Sequence, residues 1–306
     1  MVTGGNGLIG SRLAEHLVDR DDSVTAFDLT FNFNTKDLSC EKIRGDVRDY
    51  DAVRKAVDGK DAVFHLAAVS RVVWGQQDPL NCWRTNVMGT MNVLEACRKA
   101  EGKPVVFYAS SREVYGEPQY LPVGEDHPKN PKSVYGVSKL CAENACFAYR
   151  NMFSDQRVDS VILRFSNVYG SERDQLDRVI PKFMIKALRG EEIDLYGGDQ
   201  VLDFTFVDDV AAGIVKAYSS SLDSSDILGE DFHFVSGRGV SVTELAGMIV
   251  DSVDSSSKII PMEPKDFDVR RFVGDPAKTR LKLGFEPQTK LEDGLKILKE
   301  RIMSKI

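Results

Sequence analysis

The chain has 306 residues and a formal net charge of −7, from 40 lysines and arginines against 47 aspartates and glutamates. That balance argues against a dedicated nucleic-acid or anionic-membrane surface, and 42% hydrophobic with 28% charged residues is the composition of a globular protein with a sizeable core. No apolar run approaches a membrane span and no cationic-then-apolar leader opens the chain, so a cytoplasmic location is expected.

Met1-Val2-Thr3 precede a glycine turn, Gly4-Gly5-Asn6-Gly7-Leu8-Ile9-Gly10. A central strand normally needs about 5–6 residues, so the first strand reads as clipped. The spacing Gly5-x-Gly7-x-x-Gly10 opens a predicted helix over 8–20, and such a turn lets backbone approach a pyrophosphate at a helix N-terminus. Gly4, Gly7, Leu8, Ile9 and Gly10 are therefore candidate cofactor contacts. Val24–Phe27 reads as the next buried strand, and Asp28 at its end is placed to bind ribose hydroxyls. Its carboxylate would repel a 2′-phosphate, and Leu29-Thr30 supplies no cation, so NAD is expected rather than NADP.

Further along, 50–58, 80–101 and 134–153 carry helical periodicity, while Ala62–His65, Val105–Ala109 and Val161–Leu163 read as buried strands. This alternation predicts an α/β fold, a doubly wound parallel sheet. Ser219–Asp226 is expected to be an exposed loop, and Asp251–Ser257 a second polar patch. Five cysteines without CxxC spacing, and four scattered histidines, predict neither disulfides nor a metal site.

The chemistry is carried by Ser110-Ser111 at a strand end and by Tyr135 and Lys139, four apart on one predicted helix face. An ammonium beside a phenol favours phenolate, which lowers the expected pKa of Tyr135. A dinucleotide turn with a Ser/Tyr/Lys set reads as redox chemistry on a carbinol carbon.

These motifs together resemble the extended short-chain dehydrogenase/reductase family, in its nucleotide-sugar epimerase and dehydratase branch. The resemblance runs nearly end to end, through Thr3–Gly10, Gly45–Asp49, His65-Leu66-Ala67-Ala68, Asn86–Ala96, Ser110–Gly116, Tyr135 with Lys139, Leu163–Gly170, Val179-Ile180-Pro181, Leu195-Tyr196-Gly197, Asp203–Val210 and Asp268–Arg271 with Asp275. It implies a Rossmann domain from residues 1–165 with 203–235, and a sugar-nucleotide lobe from 166–202 with 236–306. It also implies cofactor contacts at Asp46, Val47, Leu66, Ala67, Ala68, Asn86, Tyr135 and Lys139. Substrate contacts are implied at Ser111, Asn167, Val179, Arg270 and Arg271, the arginines clamping a diphosphate. Tyr135 would act as acid/base, Ser111 would hold the reacting oxygen, and Lys139 would bridge the nicotinamide ribose.

Three departures from the family pattern bear on the reaction. Arg112-Glu113 stands where dehydratases have an Asp-Glu pair, which leaves Glu113 as a second base, a substrate contact or a partner of Arg112. Leu202 stands where relatives commonly have a phosphate-binding arginine. Phe272 falls near the place where epimerases tune pocket size, and its bulk favours glucose and galactose over acetamido sugars. The leading expectation is an NAD-dependent UDP-glucose/UDP-galactose 4-epimerase. The alternatives are a dehydratase or UDP-glucuronate decarboxylase using Glu113, and a non-catalytic cofactor-sensing protein. A homodimer is expected, pairing the helices near 80–101 and 134–153 into a four-helix bundle, with Met88, Met91 and Leu94 on one apolar face and Leu140 and Phe147 on the other.

Overall fold

The computed structural model describes residues 1–31, 35, 38–153, 155–263 and 269–304. The first half runs β1 (Val2–Thr3), α1 (Leu8–Val18), β2 (Thr25–Asp28), β3 (Glu41–Arg44), α2 (Tyr50–Val57), β4 (Ala62–His65), α3 (Val72–Gln77), α4 (Pro79–Trp83), α5 (Gly89–Lys99) and β5 (Val105–Ser111). Then come α6 (Val134–Asn151), β6 (Ser160–Phe165), β7 (Asn167–Tyr169), α7 (Val179–Leu188), β8 (Ile193–Tyr196), β9 (Val201–Phe206), α8 (Val207–Asp223) and β10 (Asp231–Phe234). The chain closes with β11 (Gly239–Ser241), α9 (Val242–Ser252), β12 (Ile259–Met262), α10 (Ala277–Leu283) and α11 (Leu291–Met303).

Seven strands form one sheet in the order β10-β6-β5-β4-β1-β2-β3, with every neighbouring pair parallel. All four strand segments read from apolar runs lie in it, as the α/β expectation requires. Their side chains alternate between two cores. Phe64, Phe107 and Leu163 pack with Leu13, Leu17 and Ile214 on one face. Val63, Val106 and Ile162 pack with Val53, Val93 and Cys146 on the other. A sheet buried on both faces is the arrangement that near-continuous apolar strands demand.

A third core lies around α7, α9 and α11, where Met184, Leu245 and Leu295 are fully buried. Two small sheets border it, β11-β9-β7 and β12-β8. Residues 201–206 thus pair outside the central sheet, while β10 returns to it beside β6. No helix among the described residues is long and apolar enough to cross a membrane.

The structure changes two expectations. Helix α8 continues to Asp223, so most of Ser219–Asp226 is helical rather than loop. Ser219 Oγ donates to Val215 O and Ser221 Oγ to Tyr218 O, which lets serines end a helix without breaking it. The helix expected over 80–101 runs from Pro79 to Lys99, but Arg84–Met88 forms a π-helical turn in which Gly89 N donates to Arg84 O.

Candidate active site

The glycine turn sits between β1 and α1. Gly4 has φ +68°, in the left-handed region that suits glycine, and a Cβ on Gly10 would overlap the Gly4 carbonyl oxygen. Asn6 N–H donates to Asp28 Oδ2 at 2.9 Å, so Asp28 both closes the turn and borders the groove; burial pushes its carboxyl pKa up. Opposite, Thr3 Oγ accepts from Leu66 N and Ala67 N, each at 3.1 Å, and fixes the chain after β4.

These elements enclose a cavity of about 510 Å³ lined by Gly4, Gly7, Leu8, Ile9, Gly10, Asp28, Asp46, Val47, Leu66, Ala67, Ala68, Tyr135 and Lys139. A bare glycine turn at a helix N-terminus, a carboxylate at the end of β2 and an apolar wall are the donor set that fits a dinucleotide with a free ribose diol. Asp46 is held by Arg48, whose guanidinium lies 2.5 Å away and depresses the carboxyl pKa. Asn86 corrects its expected role. It is buried and outside the cavity lining, because its amide is spent on neighbours: Nδ2 donates to Val69 O at 3.0 Å and Ser138 Oγ at 2.9 Å, and Oδ1 accepts from Val69 N.

A second cavity of about 390 Å³ adjoins the first, and Ser111 and Tyr135 line both. Helix α6 starts at Ser133, whose side chain caps Gly136 N at 3.0 Å, and this start sets Tyr135 and Lys139 against β5. Lys139 Nζ donates to Ala109 O at 2.8 Å and lies 5.9 Å from the Tyr135 ring centre.

The expected ionisation is corrected here. Burial pushes the Tyr135 phenol up to about 12, and the Ser111 hydroxyl, rather than Lys139, provides the largest opposing pull. Burial also brings Lys139 down to about 8. Both charged forms lose water on burial, and that loss is the largest influence on each group.

The second cavity is lined by Asn167 and Val179, and also by Leu202, Arg112 and Glu113. Arg112 Nη2 lies 3.1 Å from Glu113 Oε1, so of the three readings of Glu113 the partner of Arg112 is the one seen. Phe272 is fully buried behind Arg112, 5.6 Å from its guanidinium, and does not line the cavity, which corrects its expected effect on pocket size.

Arg270 and Arg271 are also corrected. Both are exposed and line neither cavity among the described residues; their backbone pairs with β9, where Val201 N donates to Arg270 O and Val201 bridges Arg271. Asp268 of the same motif lies outside the described residues. The cations that do line the second cavity are Arg71, Arg112, Arg178 and Lys182. Arg71 Nη1 reaches Asp177 at 2.5 Å across the mouth, Arg178 Nη1 reaches Asp174 at 3.2 Å, and Lys182 Nζ lies 5.9 Å from the Tyr196 ring. Sequence reading missed Arg71, Arg178 and Lys182, although the last two flank the Val179-Ile180-Pro181 segment it singled out.

A sequence model described as the NAD dependent epimerase/dehydratase family matches residues 1–228. The chain is 34% identical to a putative UDP-glucose 4-epimerase of Methanocaldococcus jannaschii over 97% of this chain and 95% of that protein. It is 30% identical to UDP-glucuronic acid decarboxylase 1 of Danio rerio, covering 96% and 70% respectively. The crystal structure of Thermotoga maritima UDP-glucose 4-epimerase with UDP-glucose superposes with a TM-score of 0.91 at 28% identity, covering 99% of this chain and 98% of that one. The extent of the sequence match and the shared seven-stranded sheet agree: the chain belongs to the NAD-dependent epimerase/dehydratase family of nucleotide-sugar enzymes.

Proposed function

We propose that the protein binds NAD and epimerises a nucleotide sugar at C4, with UDP-glucose and UDP-galactose as the pair, through a transient 4-keto sugar. The observation that supports this most is the position of Ser111 and Tyr135 on the wall shared by the two cavities. When bound in the larger cavity, NAD supplies the hydride acceptor and donor. Tyr135 takes the proton from the C4 hydroxyl oxygen and later returns it. Ser111 Oγ donates to that oxygen and steadies its charge. Lys139, anchored on Ala109 O, presents its remaining N–H groups to the cofactor ribose. On the far wall, Asn167, the start of α7 at Val179, Arg178 and Lys182 offer donors and charge suited to a diphosphate.

The lyase alternative keeps one supporting observation, that Glu113 lines the sugar cavity. A base at Glu113 would have to leave the Arg112 guanidinium, and no second carboxylic acid adjoins it in Ser111-Arg112-Glu113. Incubation with UDP-, GDP- and dTDP-sugars decides between them. Epimerisation gives a product of unchanged mass from UDP-glucose or UDP-galactose. Loss of water or carbon dioxide from any sugar would replace this reading with the lyase, and no conversion would favour a binding role.

We also propose a homodimer through the outer faces of α4–α5 and α6. Trp83, Met88 and Val137 are exposed apolar residues there. The expected faces shift in detail: Leu94 is fully buried in the core beside β5, and Leu140 packs towards Val114 and Phe272. Sedimentation at micromolar concentration is expected to give a dimer and Val137→Glu a monomer; a monomeric wild type would refute the pairing.

A further inference from the structure

A buried carboxylate is costly unless paired, and Glu143, in the middle of α6, is 1% exposed. Its Oε1 accepts from Ser110 Oγ at 2.5 Å and from Arg164 Nε at 2.9 Å, and its Oε2 accepts from Arg164 Nη2 at 2.8 Å. Glu143 lines neither cavity. It does stand four residues after Lys139 and eight after Tyr135, spacings that put all three on one helix face. Its hydrogen-bond donor Ser110 is the chain neighbour of Ser111.

We propose that Glu143 is a positioning residue for the active site: its charge keeps Lys139 an ammonium at neutral pH, and its bond from Ser110 fixes the strand end that presents Ser111. This rests on the roles given to Lys139 and Ser111 above.

The surroundings of Lys139 make Glu143 the group able to do this. From β5 it meets the Tyr108 ring at 5.1 Å and the Ala109 carbonyl, and from β4 it faces His65, which burial keeps neutral with a pKa of about 3. Cys82 from α4 and Cys146 from α6 have thiol pKa values raised by burial, and Tyr135 is a neutral phenol. Arg164 pairs with the carboxylate at 2.8 Å and, like it, lines neither cavity. Burial lowers Lys139, and the groups that oppose it are Cys82 first, then Glu143 and Cys146; both thiols are themselves pushed up by burial and stay protonated near neutrality, which leaves Glu143 as the charged one.

Glu143→Gln keeps the size and the acceptor but removes the charge. NADH affinity, followed by fluorescence from pH 6 to 9, is expected to fall in the wild type as pH rises and Lys139 loses its proton. Lys139→Met removes that transition. In Glu143→Gln the midpoint moves down by about one pH unit, the effect of one nearby opposite charge. Glu143→Asp keeps the charge and holds the wild-type midpoint, which covers the case in which Gln does not fold. An unmoved midpoint in Glu143→Gln, or one that drops as far in Glu143→Asp, overturns the proposal, since neither is an effect of charge. Failure of the wild type to bind NADH would instead refute the cofactor reading itself, and this inference with it.

Discussion

Tyr135→Phe is expected to lower turnover by about 10²–10⁴-fold, the usual contribution of a positioned acid/base. Phenylalanine keeps the ring that packs between α6 and β5, so the melting temperature and NADH binding should change little. Only the proton carrier at the C4 oxygen is lost, while Ser111 and Lys139 remain in place. The pH dependence gives a second readout. Burial raises the Tyr135 phenol to about 12, so its reactive phenolate fraction rises about tenfold per unit as pH climbs from 6 to 8. Wild-type turnover should rise over that range to the extent that proton removal limits it, and this slope should vanish in Tyr135→Phe. A loss smaller than tenfold would remove Tyr135 from the chemistry.

Arg164→Ala is expected to be the most damaging single change to stability. The Arg164 side chain is fully buried and makes ion pairs to Glu143 at 2.8 Å and Asp231 at 2.6 Å, with further bonds to Tyr115 Oη at 2.8 Å and Glu125 O at 3.2 Å. Removing it leaves Glu143 charged, without its counter-ion and out of water. Such losses cost about 3–5 kcal/mol, a large part of the ~5–15 kcal/mol that holds a domain folded. Asp231 suffers less, because Lys278 lies 2.7 Å away. Thermal unfolding should drop by about 10 °C at pH 7. Arg164→Met combined with Glu143→Leu should recover much of the loss, because it removes both charges together. A double variant as unstable as Arg164→Ala would mean that packing, not unpaired charge, sets the cost.

What could be read from the sequence follows from how local each signal is. The glycine turn, the strands β2, β4, β5 and β6, and the Ser111/Tyr135/Lys139 set declare themselves through spacing within a few residues. Strand β3 does not, because Glu41-Lys42-Ile43-Arg44 forms a charged sheet edge without an apolar run. Arg71, Arg178 and Lys182 were missed for another reason. The loop after β4 and the start of α7 are brought together only by the fold, and the Arg71–Asp177 pair spans 106 positions. Arg270 and Arg271 had the chemistry of a diphosphate clamp, but the fold leaves both exposed and outside the two cavities. Glu143 did carry a short-range mark, four residues after Lys139, yet that spacing alone does not separate a buried charge from a solvated one.

The π-helical turn at Arg84–Met88 reconciles two demands on one helix. Up to and within the turn, Asn81 and Thr85 face the larger cavity and Asn86 points inward to Val69. Downstream, Val93, Leu94 and Cys97 must meet the sheet. One additional residue rotates the later segment by about 100° relative to the earlier one. A sequence one residue shorter here could satisfy the loop after β4 or the hydrophobic stripe of α5, but not both.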